Sequence, residues 1–359
     1  MARTTFADLS AAALRHNAGR VRSLVGDARV MACVKADAYG HGASLVAPVL
    51  ADCVDAFAVA CLEEALALRG AGIAKPVLLL EGPHAPDEIA EAAARSFVLC
   101  ISEPQQLDWL RATAPALRPC CWLGVDTGMH RLGFAPDRAR DAAIELKALN
   151  GGAAPVLATH FASADEAASR AVQGQIEAFE ALAQTLEGER SLANSAAVLQ
   201  YPQTHADWVR PGYMLYGGNP LRHGSALEHD LQAVMELSAE IIAVRELPEG
   251  TEVGYGGRWR ARRASRIATI AAGYGDGYPR HAPDGTPVKI GRRCSPLAGR
   301  VSMDMITVDV TDNPEAVPGQ RATLWGVEPG VDEIAARCDS IGYELLASLP
   351  SRATRRLIE

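Results

Sequence analysis

The chain has 359 residues, too many for one compact core and enough for two domains. Hydrophobic residues make up 48% and charged residues 22%, as in ordinary globular enzymes, and the net charge of −8 argues against a general nucleic-acid-binding surface. No apolar run reaches membrane-spanning length, and the first residues lack the apolar segment of a signal peptide. The eight cysteines show no Cys-x-x-Cys spacing. We therefore expect a cytoplasmic protein with reduced cysteines, no metal site and no membrane or nucleic-acid partner.

Strands and helices alternate over roughly the first 220 residues. A strand at residues 4–9 precedes a helix that runs from Ser10, a favourable N-cap, to about Val25. Amphipathic helices then separate eight predicted strands, at residues 30–34, 56–60, 76–80, 97–101, 122–125, 155–159, 191–194 and 213–216. Their number and spacing match a (β/α)8 barrel, although an open doubly wound sheet fits the alternation nearly as well.

The pattern of the sequence changes after about residue 225. Short runs with strand character, separated by Gly, Pro and Asp turns, occur at residues 234–244, 266–272, 288–290, 305–310 and 322–325. They indicate a small, mainly β C-terminal domain. We place the barrel at residues 1–228 and the β domain at residues 229–359, with residues 1–9 as candidates for pairing with the second domain.

One lysine stands out at the end of a predicted strand. The apolar run from Val30 to Val34 is followed by Lys35. In (β/α)8 barrels, the active-site residues lie at the carboxyl ends of the strands. Only 4 of the 35 basic residues are lysines. An amine can act as a nucleophile where a guanidinium cannot, although a lysine that reaches from a strand end to water fits this position equally well.

The nine residues from Val34 to Gly42, Val-Lys-Ala-Asp-Ala-Tyr-Gly-His-Gly, resemble the cofactor-lysine motif of alanine racemases. These are pyridoxal-phosphate enzymes built from a TIM barrel and a β domain. The resemblance implies that Lys35 forms the Schiff base with the cofactor and that Tyr39 binds its phosphate. An amine that attacks a carbonyl is the chemistry this role requires.

Other predicted strand ends match the same family pattern. The resemblance implies that Arg131 reaches the cofactor's phenolic oxygen and the substrate carboxylate, and that His160 lies against the pyridine ring. The remaining cofactor-binding candidates are Asn194, Ser195, Arg210, Gly212 and Tyr213. Considered singly, these residues also have purely structural explanations. The Asn194–Ser195 pair fits the N-cap of a helix, and His160 fits a strand-end histidine whose hydrogen bonds are satisfied.

Arg210 has the most specific implied role, because it would face the pyridine nitrogen of the cofactor. A guanidinium cannot accept a proton, so the ring nitrogen would stay unprotonated and the ring would withdraw electrons weakly. Removal and return of the substrate proton would then be closely coupled, which suppresses transamination.

Racemisation also needs an acid/base on the second face of the substrate carbon. The resemblance implies that Tyr255 supplies it, assisted by cationic neighbours such as His160 or arginines, and that Tyr255 and the substrate-binding Met303 enter the site of a partner subunit. A homodimer with shared sites follows. Without the family pattern, Tyr255 is better explained as a Gly-flanked aromatic residue at a turn. An entrance collar is implied at Asp165, Tyr274, Arg280 and Arg300.

Two positions depart from commoner members of the family. Gly124 replaces a modified lysine that steadies the arginine, so another group, for example a bound anion, would do that here. Ser351 falls where some members have a tyrosine at the entrance and others a serine, and the smaller residue leaves more room. Alternatives to an alanine racemase are a broader amino-acid racemase, a decarboxylase of the same architecture and a non-catalytic PLP-binding protein. Whether D-alanine is made for peptidoglycan or degraded stays open.

Overall fold

The computed structural model describes residues 5–359 and begins with a strand and a helix. Strand β1 (Phe6–Ser10) leads directly into helix α1 (Ala11–Val25). The Ser10 hydroxyl accepts a hydrogen bond from the amide of Ala13 at 3.1 Å, so it caps the helix as predicted. Thr4, the first residue of the predicted strand, lies outside the described residues.

Eight parallel strands close into a barrel, which confirms the predicted fold class and rules out the open sheet. The ring closes because the last strand pairs with the first, through Arg29 with Trp208 and Val30 with Val209. Side chains from alternate positions, such as Met31 and Trp122, fill the interior. The strands are β2 (Arg29–Cys33), β3 (Ala56–Val59), β4 (Val77–Leu79), β5 (Phe97–Ile101), β6 (Cys121–Gly124), β7 (Leu157–Ala158), β8 (Arg190–Asn194) and β9 (Trp208–Arg210).

The prediction of the eighth strand at residues 213–216 is wrong. The strand that closes the barrel is β9, and Tyr213–Tyr216 forms a 3₁₀ turn. All four residues of that turn are buried, so its apolar run resembled a buried strand, whereas β9 is only three residues long. Continuous burial gives no periodicity that would separate the two conformations.

Helices surround the barrel and pack on it through an outer hydrophobic core. They include α3 to α9, at Ala43–Leu50, Leu62–Gly70, Asp87–Ala94, Pro104–Ala112, Pro136–Leu149, Arg170–Ala183 and Ser195–Gln200. The preceding element, α2 (Lys35–Tyr39), is unusual because residues 36–39 all have positive φ, between 51° and 56°. It is a left-handed turn built from residues other than glycine, a conformation that the sequence analysis did not predict.

The second part of the chain is a β structure around its own core. Its main sheet has the order β15-β14-β17-β10-β1-β18, with β13 attached to β10 and β16 attached to β13. The strands are β10 (Met235–Leu247), β11 (Glu252–Val253), β12 (Trp259–Arg260), β13 (Ser265–Ile270), β14 (Pro287–Ile290), β15 (Arg293–Pro296), β16 (Ile306–Asp309), β17 (Arg321–Trp325) and β18 (Thr354–Ile358). Each of the five predicted strand runs overlaps a strand of this set.

The N-terminal strand β1 lies in this second sheet, between β10 and β18, rather than in the barrel. Asp8 of β1 is buried and accepts hydrogen bonds from Arg356 at 2.6 and 2.7 Å and from Arg321 at 3.0 Å. The chain therefore begins in the second sheet, continues through the barrel and ends in the second sheet again. The proposed boundary between residues 228 and 229 stays a prediction.

Two helices in the second part were not predicted, and both face the barrel. Helix α10 (Val331–Arg337) and helix α11 (Gly342–Ala347) precede β18. Gly40 at the end of α2 allows the closest approach, since a side chain there would lie 1.9 Å from the carbonyl oxygen of Leu346. Within residues 5–359, no helix is long and apolar enough to cross a bilayer.

Candidate active site

A cavity of about 1370 Å³ opens at the carboxyl ends of the barrel strands, where barrel proteins place their sites. It brings together nine of the predicted site residues, which are Lys35, Tyr39, Arg131, His160, Asn194, Ser195, Arg210, Gly212 and Tyr213. The predicted collar residue Asp165 also lines it. These side chains come from five different strand ends, so closure of the barrel is what assembles them.

Lys35 starts the left-handed turn and is half-buried in the cavity wall. No side chain among residues 5–359 forms an ion pair or hydrogen bond with its amine. The backbone around it is anchored instead: Glu64 accepts hydrogen bonds from the amides of Ala36 at 2.7 Å and Ala60 at 2.8 Å, and Asp37 accepts one from Ala43 at 2.7 Å. The turn thus holds an unpaired amine at a fixed place.

Tyr39, at the other end of the turn, points towards the start of the 3₁₀ turn at Tyr213. A side chain at Gly212 would lie 2.3 Å from the Tyr39 hydroxyl, so only glycine permits this approach. Burial, with smaller contributions from Cys33 and Tyr343, raises the pKa of Tyr39 well above 10, so the phenol stays protonated. Its hydroxyl donates to no acceptor within the described part of the chain.

Ser195 completes the polar lining beside Tyr39. Its hydroxyl oxygen accepts from the amides of Gly212 at 2.8 Å and Met214 at 3.4 Å, which leaves its proton available. Tyr213 begins its 3₁₀ turn, so its amide has no acceptor within that turn. Asn194 acts as the N-cap of α9, accepting from Ala197 at 3.0 Å, while it also lines the cavity. Asn194 therefore does have the helix-capping role that was considered as its structural alternative.

Arg210 lies at the end of β9 and is buried. Its guanidinium donates to the Ser191 carbonyl at 2.9 Å, the Ser191 hydroxyl at 2.5 Å and the Thr159 carbonyl at 2.5 Å. Burial lowers its pKa below the usual 12.5, opposed by the thiols of Cys33 and Cys100, yet a guanidinium stays charged in proteins. The cavity floor therefore carries a fixed positive charge.

Arg131 follows β6 on a loop that is anchored by one carboxylate. Asp126 accepts hydrogen bonds from the amides of Gly128, Met129 and His130 at 3.0 to 3.1 Å, and pairs with the His130 ring at 3.0 Å. Burial alone would raise the pKa of Asp126, but these bonds bring it below 3.8. Arg131 itself is exposed to the cavity and has no carboxylate partner within residues 5–359.

Gly124 leaves no space for the modified lysine of related proteins. A side chain at this position would lie 2.4 Å from the Ser102 hydroxyl. The anchoring of the Arg131 loop thus comes from Asp126, an aspartate of the Asp126–Arg131 segment to which the sequence analysis gave no role.

His160 projects into the open cavity beside these cations. Enclosure by the walls, followed by Arg210, Arg131 and Lys35, lowers its pKa from 6.5 to about 3. Because the ring is accessible to solvent, we attribute the lowered pKa to the three cations more than to enclosure. His160 is neutral at neutral pH, so the expectation that it supplies positive charge to a tyrosine base is wrong.

Tyr255 and Met303 do not line this cavity. Tyr255 starts a 3₁₀ turn after β11 and is 72% exposed, and Met303 is 52% exposed. The two loops adjoin, since a side chain at Gly254 would contact the amide of Arg300 at 3.4 Å. They form one exposed surface of the β structure. The remaining collar residues Tyr274, Arg280 and Arg300 are also exposed, as is Ser351, and none of them lines the cavity.

Sequence reasoning missed three residues that shape the site. Glu64 anchors the lysine turn, and Asp332 and Tyr343 come from the unpredicted helices and contact Tyr213. Single acidic or aromatic residues in amphipathic helices carry no local signal, so only tertiary contacts identify them. Within residues 5–359, no group of three or more metal-binding side chains comes together.

The residues present fit a phosphorylated aldehyde. An unpaired amine lies in the same cavity as the Tyr39 and Ser195 hydroxyls and the Tyr213 amide, none of which has an acceptor for its proton within the described chain. Free donors of this kind suit an anionic phosphate, and an amine suits an aldehyde.

A lysine amine beside a cradle of free donors, at the carboxyl ends of a (β/α)8 barrel, is the arrangement of a barrel enzyme. The chain belongs to the alanine racemase family. Family models described as alanine racemase, N-terminal domain, and alanine racemase, C-terminal domain, match residues 9–220 and 234–357. These matches confirm the resemblance found in the sequence.

Full-length relatives support the same family. The chain is 48% identical to an alanine racemase of Chromohalobacter salexigens, with 99% of this chain and 98% of that protein covered. It is 47% identical to the catabolic alanine racemase of Pseudomonas aeruginosa, over 94% of each. The crystal structure of the biosynthetic enzyme from that species has a TM-score of 0.96 at 44% identity, covering 99% of this chain and 100% of that one. An alanine racemase structure from Bartonella henselae, described with covalently bound pyridoxal phosphate, has a TM-score of 0.89 at 29% identity and covers 99% of each chain.

Proposed function

We propose that this protein is a pyridoxal-phosphate-dependent alanine racemase, an isomerase that interconverts L-alanine and D-alanine by a two-base mechanism. The observation that carries the proposal is the unpaired Lys35 amine in the same cavity as the Tyr39 and Ser195 hydroxyls. Family membership across the whole chain supports the same activity.

Lys35 would hold the cofactor covalently through Nζ. Tyr39, Ser195 and the amide of Tyr213 would bind its phosphate, whereas the amide of Gly212, also implied by the resemblance, donates to Ser195 and supports the cradle, as does Asn194 as the cap of α9. Arg210 would keep the pyridine nitrogen unprotonated, and the neutral His160 would lie against the ring. When bound, the cofactor supplies electron withdrawal that makes the substrate Cα–H bond acidic.

Substrate alanine would enter with its carboxylate towards Arg131, whose guanidinium has no carboxylate partner within residues 5–359. A free guanidinium provides two parallel donors that match the geometry of a carboxylate. Met303 of a partner subunit would lie at the same carboxylate. The anchored loop holds Arg131 ready, so little order is lost on binding.

The two protons would move on opposite faces of the substrate carbon. Lys35 Nζ, once the substrate amine has displaced it from the cofactor, would take or return the proton on one face, and the phenolic oxygen of Tyr255 would do so on the other. Because Tyr255 is exposed and lies outside the cavity of its own chain, we propose that a second copy inserts it. A head-to-tail homodimer with two composite sites satisfies this requirement.

The test is racemisation of alanine by three purified proteins: wild type, Lys35→Ala and Tyr255→Phe. We expect loss of covalent cofactor and activity in Lys35→Ala. In Tyr255→Phe we expect retained cofactor absorbance with a rate lowered about 10²- to 10⁴-fold in both directions. A wild-type protein that binds the cofactor without racemising alanine would contradict the proposal and favour a carrier.

Broader substrate use is the second candidate, supported by the small Ser351 near the expected entrance. Rates for alanine, serine and larger amino acids would measure it. Relatives named biosynthetic and catabolic match at 45% and 47% identity, which does not separate D-alanine supply for peptidoglycan from its breakdown. A cytoplasmic location stays a prediction.

A further inference from the structure

The side chain of Tyr213 is held by the β structure of its own chain. Its hydroxyl donates to Asp332 Oδ1 at 2.6 Å, and Asp332 Oδ2 accepts from the amide of Asn219 at 2.9 Å. One carboxylate on α10 therefore fixes both ends of the segment that follows Gly212. This segment contains the 3₁₀ turn that begins at Tyr213, whose amide has no acceptor within the turn.

Packing confines the Tyr213 ring on two further sides. The ring of Tyr343 on α11 stacks on it with centroids 3.7 Å apart and an angle of 16° between the planes. Side chains at Gly218 and Gly342 would lie 2.1 and 1.8 Å from Tyr213 atoms, so both positions are closed to larger residues. A ring with so little free space has one position available to it.

In the hydrogen bond between Tyr213 and Asp332, the tyrosine hydroxyl is always the donor. Burial, reinforced by the negative charge of Asp332, raises the pKa of Tyr213 well above 10, so the hydroxyl stays a donor to the carboxylate. A bond between a hydroxyl and a carboxylate is stronger than one between neutral groups. The contact therefore constrains the backbone at Gly212 and Tyr213 through a rigid side chain.

We propose that Asp332 is a positioning residue for cofactor binding: through the Tyr213 ring it sets the Tyr213 amide that receives the phosphate. The β structure then controls affinity for the phosphorylated cofactor as well as presenting Tyr255. This inference rests on the proposed function, because it assigns the phosphate of pyridoxal phosphate to this cradle.

The experiment compares two ligands on full-length apoprotein, pyridoxal phosphate and pyridoxal, which lacks the phosphate. Dissociation constants are measured by absorbance for wild type, Asp332→Asn and Tyr213→Phe, with apoprotein melting temperatures to verify folding. We expect pyridoxal phosphate to bind about tenfold more weakly to both variants, and pyridoxal to change less than about twofold.

A double variant and a neighbouring control sharpen the result. Asp332→Asn with Tyr213→Phe should cost about as much as either change alone, because both remove one coupled contact. Arg337→Gln, at an exposed position of the same helix outside the cavity lining and paired with Glu333, should leave both dissociation constants unchanged. Equal weakening of the two ligands in the variants, or no weakening, overturns the positioning role. Wild type with no preference for pyridoxal phosphate over pyridoxal overturns the proposed function as well.

Discussion

Single residues at the cavity differ in whether their hydrogen-bonding groups are already used. Arg210 donates to three oxygens of the barrel, so its charge is fixed in place before any ligand arrives. The Lys35 amine, the Tyr39 hydroxyl and the Arg131 guanidinium have no such partners within residues 5–359. Unused donors mark where ligands bind, and saturated ones mark where the protein sets the electrostatic field.

His41, just after the lysine turn, is a residue whose titration opposes folding. It is fully buried, its Nδ1 contacts the carbonyls of Ala38 and Tyr39 at 3.0 and 2.9 Å, and its Nε2 has no hydrogen-bond partner among residues 5–359. Burial, assisted by Arg355 and opposed by the two carbonyls, lowers its pKa from 6.5 to about 4. Below pH 6.5 the unfolded chain therefore binds a proton that the folded chain does not.

We expect His41 to remove up to about 3 kcal/mol of stability as the pH falls from 6.5 to 4. Urea unfolding of the apoprotein at several pH values measures this, and His41→Phe should have a shallower pH dependence than wild type. His223→Phe, at an exposed position, is the control and should leave the slope unchanged. Parallel curves for wild type and His41→Phe would contradict the assignment.

The left-handed turn α2 is the element that most departs from ordinary geometry. Four successive residues other than glycine adopt positive φ, at a cost of roughly 1–2 kcal/mol each. Contacts of Glu64 and Asp37 with neighbouring amides offset part of that cost. The strain places Lys35 and Tyr39 on the same side of one short turn, where both reach the cavity.

Ala36→Gly tests this strain, because Ala36 is exposed and its amide bond to Glu64 survives the change. Glycine tolerates positive φ, so we expect the free energy of unfolding to rise by about 1 kcal/mol. Ala67→Gly, at an exposed site inside α4, should instead lower it by roughly 0.5–1 kcal/mol. Equal destabilisation of the two variants in urea unfolding would show that the turn is unstrained.

At the scale of the whole molecule, the proposed chemistry is divided between two units. The barrel carries the amine and the cradle, whereas the β structure carries Tyr255 on an exposed surface away from that cavity. Strand β1 ties the beginning of the chain into the second sheet. Under the proposed mechanism, each chain would carry both halves of the site and would combine its own half with the complementary half of a second copy.

Mixed dimers test this division directly. Lys35→Ala and Tyr255→Phe, each inactive alone, should recover about a quarter of wild-type activity when co-expressed with different affinity tags. With random pairing, half of the dimers contain one chain of each variant. In each of these mixed dimers, one of the two sites has both wild-type bases. A Lys35→Ala chain co-expressed with wild type is the control for association. No recovery in dimers that contain both tags would mean that each chain uses its own Tyr255.

The sequence by itself determined the alternation of strands and helices, the lysine at a strand end and the family, because these follow from local periodicity and from contiguous motifs. It also indicated nine residues that meet in the cavity. Tertiary structure decided the rest: that the sheet closes, that β9 rather than residues 213–216 completes it, and that β1 joins the second sheet. It alone revealed Glu64, Asp332 and Tyr343. Their roles depend on contacts between residues far apart in the chain, such as the 119 positions between Tyr213 and Asp332, which leave no mark on local patterns.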